Sequence, residues 1–97
     1  MPALSAAGNV ENTALVILKE KGYQIWYDKD LDLCCAEKGG WDFFATGAVE
    51  LLGVVAIFEH HKPKGFKEYW WKIDQPFLVL DLPDQPIPYK PIWEKKQ

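Results

Sequence analysis

Arginine is missing from this chain of 97 residues: all 11 basic residues are lysine. The planar guanidinium fork reads phosphate, carboxylate and guanine bidentately. Its absence counts against nucleic-acid and phosphoryl-group recognition more than the mild acidity does, a formal net charge of −3. Serine occurs once, at Ser5 in a terminus expected to fray, and Thr13 and Thr46 have helix roles, so hydroxyl nucleophiles are scarce. The two cysteines are neighbours, Cys34 and Cys35. In an extended strand their side chains leave on opposite faces, so neither a mutual disulfide nor joint metal ligation is expected. The longest apolar run, "LLGVVAIF" at residues 51–58, falls short of the ~20 residues a membrane-spanning helix needs and reads as a core helix. The opening "MPALSAAGNV" has no basic region and no long apolar stretch of the secretory kind, which makes a cytoplasmic location the expectation.

Aromatic residues are plentiful, with five Trp, five Phe and four Tyr, in a chain that is 48% hydrophobic. A domain this small buries only about 60 to 70% of its unfolded surface, so it needs a core dense in large side chains. Each buried aromatic removes roughly 150 to 250 Å² from water, and several are expected to be structural. Proline is uneven: six of the seven lie beyond residue 62, five of them between Pro76 and Pro91. The composition describes one domain, flexible over residues 1–8, with an extended C-terminal arm over residues 75–97.

Residues 10–21 read as a helix, with Asn9 as N-cap, Val10, Ala14, Ile17 and Leu18 along one face, and Gly22 as its stop. The stretch "GYQIWYDKDLDLCCAEKGGWDFFA" then breaks into three strands, residues 23–28, 31–38 and 41–45, with turns at Lys29-Asp30 and Gly39-Gly40. In the first of these Tyr23, Ile25 and Tyr27 share one face. Trp26 falls on the other, away from the main core or under the arm. "TGAVELLGVVAIFEHHKPKG" returns to helical period and ends at Lys62-Pro63. Apolar residues take up more than half of its circumference, which implies cover on more than one side and a close backbone approach at Gly53. "GFKEYWWKID" reads as a short helix of two turns, with Phe66, Tyr69, Trp70 and Ile73 on a core face and Trp71 turned toward Lys67 and Glu68. Residues 77–82 suit a fourth strand or an extended segment. Prolines 83, 86, 88 and 91 make the remaining arm irregular, while Ile87, Tyr89, Ile92 and Trp93 make it apolar enough to dock. The expected fold is α+β: a helix, a three-stranded antiparallel meander, two helices and an ordered Pro-rich C-terminal arm.

The motifs that resemble chemistry have plain readings. Glu59, His60 and His61 are adjacent, whereas helical metal ligands need spacings of three or four to share a face. Histidines also suit the last turn of a helix. Glu59 lies near Leu52 and Val55 on the wheel; it is either a buried carboxylate or, as preferred, a group just past the core's edge that reaches water. Asp28, Asp30 and Asp32 resemble a calcium loop, but its sixth and twelfth places hold Leu33 and Gly39, so an acidic hairpin turn is the better account. The order helix, three strands, helix resembles double-stranded-RNA-binding domains in element order alone. The start of the last helix, "ATGAVELLG", has no lysine for phosphates, and no RNA function follows.

No catalytic residue, metal or cofactor is indicated. The preferred expectation is a non-enzymatic protein-interaction or regulatory module, of a bacterial partner-binding or immunity type, binding a protein partner or itself as a homodimer through the arm. Its contact residues would be Trp71, Trp93, Trp26, Tyr89, Glu59 and His60. The alternative is a small-ligand binder or minor enzyme whose pocket is lined by Trp26, Trp70, Trp71 and Trp93 and polarised by Glu59 or His60.

Overall fold

The computed structural model describes residues 2–73, 78 and 82–85. Helix α1 (Glu11–Glu20) leads into strands β1 (Gln24–Asp28), β2 (Leu33–Lys38) and β3 (Trp41–Ala45), and helix α2 (Ala48–His61) follows. The strands form one antiparallel sheet in the order β1-β2-β3. The fold is α+β, with both helices contacting the sheet and each other.

Helix α1 begins a residue later than expected. Gly8–Val10 forms a 3-10 turn closed by Val10 N–H to the Ala7 carbonyl, and Asn9 does not cap the helix. Its end shows how Gly22 seats the sheet. Gly22 adopts φ +93°, Gly22 N–H donates to the Lys19 carbonyl, and Tyr23 N–H reaches back to the Leu18 carbonyl. This pairing satisfies the orphan carbonyls of the last turn and characteristically brings the flanking apolar residues together. Leu18 and Tyr23 indeed belong to the same buried cluster, so the helix stop also sets the entry of β1.

The β1–β2 loop is longer than expected. The Asp28 carboxylate accepts from the amides of Asp30 (3.0 Å) and Leu31 (3.1 Å), taking donors that a strand starting at residue 31 would have offered to the ladder. Strand β2 therefore starts at Leu33. Tyr27 donates its hydroxyl to Asp32, which sits at φ +54°. The β2–β3 turn is the two-residue Gly39-Gly40, at φ +60° and +87°, a backbone that glycine adopts without a Cβ penalty.

Ile25, Ala36 and Phe43 stand opposite one another across the three strands and face the helices. Leu18, Leu51 and Val55 pack down on them, and the small Ala36 at the centre is fully covered. Tyr23 and Phe58 each meet Phe43 edge-on, at centroid separations of 5.9 and 5.0 Å. The start of α2 has a tertiary cap. Gly47 supplies no side chain, and Glu11 accepts from Ala48 N–H at 2.9 Å, which ties the first turns of both helices together.

Two expectations fail. No atom among the described residues lies where a Cβ on Gly53 would meet it, so the close backbone approach expected there is not found, and Gly53, Ala56 and Ile57 are exposed on α2. The stretch after α2 is not a helix. Trp70 N–H bonds the Lys67 carbonyl and Lys72 N–H the Tyr69 carbonyl, making successive turns, with Tyr69 at φ +56°. A left-handed residue breaks helical period, so Phe66, Tyr69 and Ile73 are exposed and only Trp70 is partly covered. The expected fourth strand and the C-terminal arm, residues 75–97, lie outside the described residues apart from Leu78 and residues 82–85, which are exposed.

Candidate functional site

A strand sends alternate side chains to opposite faces, and among the described residues one face is packed against the two helices. On the outer face Trp26, Cys35 and Phe44 stand opposite one another across β1, β2 and β3. Trp26 is 43% exposed and Phe44 55%, while Cys35 between them is 1% exposed. One row along, Gln24, Glu37 and Asp42 are opposite one another, and on the other side Asp28 pairs with Leu33. The outer face is thus an apolar centre of two aromatic rings over a shielded thiol, edged by three carboxylates. Its strand positions carry no lysine. Lys38, the lysine of β2, turns to the inner side, where its ammonium donates to the Lys21 carbonyl at 2.7 Å and sits 5.1 Å from the Tyr23 ring centre.

Trp26 therefore lies on the open face, as its position in the alternation implies. Trp71 does not stand apart from Trp70 as the helical wheel suggested. The two share a hollow of about 200 Å³ with Phe43, Val54 and Ile57, and Trp71, half exposed, has the Tyr69 ring at 6.0 Å. Trp70 also touches Trp41 (5.5 Å) and Phe58 (6.1 Å) on the inner side of the sheet. The pocket expected to combine Trp26 with Trp70 and Trp71 is not formed, because the sheet separates them. Tyr89 and Trp93 lie outside the described residues.

Glu59 reaches the surface. Lys21 donates to it at 2.8 Å and the Tyr23 hydroxyl at 3.1 Å. The Lys21 ammonium, helped by the Tyr23 hydroxyl, holds its carboxyl below the usual range despite some burial, so the buried, proton-holding alternative does not apply. Burial first, and the Glu59 carboxylate second, push the Tyr23 phenol up to about 12. His60 is exposed, with its ring perpendicular to that of His61 at 5.5 Å. His61 also meets the Trp70 ring at 5.8 Å, so the two neighbouring imidazoles pack edge to face rather than pointing apart as their spacing suggested. Among the described residues no group of three or more His, Cys, Asp or Glu side chains is placed to hold a metal ion, and no helix is long and apolar enough to cross a membrane.

Both cysteines are free. Burial first, and the negative charge of Glu11 second, push the Cys34 thiol up, which disfavours the nucleophilic thiolate. Sequence reasoning found Trp26 but missed its row-mates Cys35 and Phe44. The available signal was the adjacent pair Phe43-Phe44: two neighbouring aromatics in one strand cannot both enter one core. No family model, no curated protein and no solved structure matches the chain.

Proposed function

We propose that this chain is a non-enzymatic protein-interaction module and that the outer face of its sheet is the binding surface. The observation that carries the reading is the row Trp26, Cys35, Phe44 with Asp28, Glu37 and Asp42 around it. Aromatic rings supply large, rigid contact area, and an acidic rim steers a basic partner and rejects an acidic one. The fitting partner is a protein segment with apolar side chains flanked by lysine or arginine. Free thiols accord with a cytoplasmic setting.

The test is selection of binders from a displayed library of varied peptides, followed by calorimetry on the enriched sequences. Basic, apolar peptides should be enriched, and Trp26→Ala with Phe44→Ala should weaken them at least tenfold while Trp71→Ala leaves them unchanged. Binding that ignores the Trp26 and Phe44 changes overturns the reading.

A further inference from the structure

We propose that the chain's own C-terminal segment, residues 86–97, docks in cis on the outer face of the sheet, over Trp26 and Phe44. The inference rests on the outer face being the binding surface and names its resident occupant.

Charge is the first support. Lys90, Lys95 and Lys96 against Glu94 give residues 86–97 a formal charge of +2, so the chain's −3 leaves −5 on residues 1–85. The outer face contributes Asp28, Glu37 and Asp42 to that excess and no lysine at its strand positions. The segment thus has the sign that the face lacks.

Side-chain chemistry is the second. "PIPYKPIW" places Pro88 and Pro91 three apart with Lys90 between them. Proline pre-sets the extended polyproline geometry, and such segments dock on aromatic surfaces at little entropic cost because their backbone is already restricted. Two open rings with carboxylates beside them are a surface of that kind. Ile87, Tyr89, Ile92 and Trp93 provide apolar groups to set against the exposed Trp26 and Phe44 rings.

Reach is the third. From Ile73, the last residue of the continuous described run, 20 residues lead to Trp93. At about 3.3 Å per extended residue they span up to roughly 66 Å, several times the ~17 Å length of a five-residue strand. A tether of this length also holds the segment at millimolar-order effective concentration, which favours the same chain over a second copy.

A zero-length carbodiimide applied to an equal mixture of ¹⁴N- and ¹⁵N-labelled full-length chain tests this directly. Peptide mapping should find Lys90, Lys95 or Lys96 joined to Asp28, Glu37 or Asp42 within copies of one label. In a second arm, Lys90→Glu, Lys95→Glu and Lys96→Glu together should move the Trp26 indole N–H resonance and leave that of Trp41 in place. Cross-links that join differently labelled copies overturn docking in cis and assign the face to a second copy. Absence of cross-links at the three carboxylates with an unmoved Trp26 resonance also overturns it. Failure of the binding-surface reading is separate. Cross-links without any selected peptide would leave the segment docked and the partner reading lost; selected peptides without cross-links would do the reverse.

Discussion

Tyr23 donates its hydroxyl to Glu59 at 3.1 Å, joining the residue that enters β1 to the last turn of α2. The pair has opposite titration behaviour at its two ends. The Tyr23 phenol stands at about 12, above the unfolded value of about 10, so its contribution to stability is complete below about pH 10 and is lost as pH rises toward 12. The Glu59 carboxyl is held below its unfolded value, so its contribution is present above the unfolded carboxylate range and is lost as pH falls through the folded value. Tyr23→Phe should flatten the alkaline limb of a stability–pH curve measured by urea unfolding, and Glu59→Gln the acid limb. Unchanged limbs in both variants would refute the linkage.

The cap that Glu11 places on Ala48 N–H spans the two helices. Glu11→Ala should lower stability by about 1 kcal/mol, the usual cost of losing a cap. Thermal unfolding of this variant beside Glu20→Ala, at the other end of α1, is the check. Equal losses would mean that the contact contributes nothing of its own.

Faces of the sheet differ in what they contribute to folding. Phe43→Ala should cost about 3 to 5 kcal/mol, as large core truncations do. Phe44→Ala and Trp26→Ala, at half-exposed cross-strand positions, should cost about 1 kcal/mol or less. Urea midpoints for the three variants decide it, and a Phe44→Ala loss as large as that of Phe43→Ala would contradict the assignment of the outer face.

Gly40 has φ +87° in a two-residue turn. Gly40→Ala places a Cβ in a left-handed backbone and should cost about 1 to 2 kcal/mol, although the space around it is open. Gly8→Ala, at a glycine with equally open space and no positive φ, supplies the control. Equal midpoints for the two would show that the turn geometry carries no constraint.

How far the fold was legible depended on the range of each signal. Gly22, Gly39-Gly40 and Lys62-Pro63 are local punctuation, and each ends an element where the sequence places the end. The β1–β2 turn failed because the Asp28 side chain, not the backbone pattern, decides where β2 begins. With a turn at residues 29 and 30, Trp26 would face Leu33; with the observed loop it faces Cys35. A shift of two residues preserves which face a side chain takes, so the face of Trp26 was legible although the cross-strand register was not. The aromatic stretch at residues 65–74 failed for another reason. Its helical spacing gave no sign of the left-handed backbone at Tyr69, and with that residue in place the wheel drawn for it loses its meaning.

The strand order β1-β2-β3 has a kinetic consequence. Each hairpin closes a loop of two or four residues, and α2 follows β3 closely, whereas the Glu11–Ala48 and Lys21–Glu59 contacts bridge separations of 37 and 38 residues. Short loops close at low entropic cost and such local topologies fold fast. We therefore expect the β2–β3–α2 unit to assemble first and α1 to join last and leave first. Native-state hydrogen exchange should give α1 amides a lower opening free energy than those of β2; equal values would mean that the molecule opens as one piece.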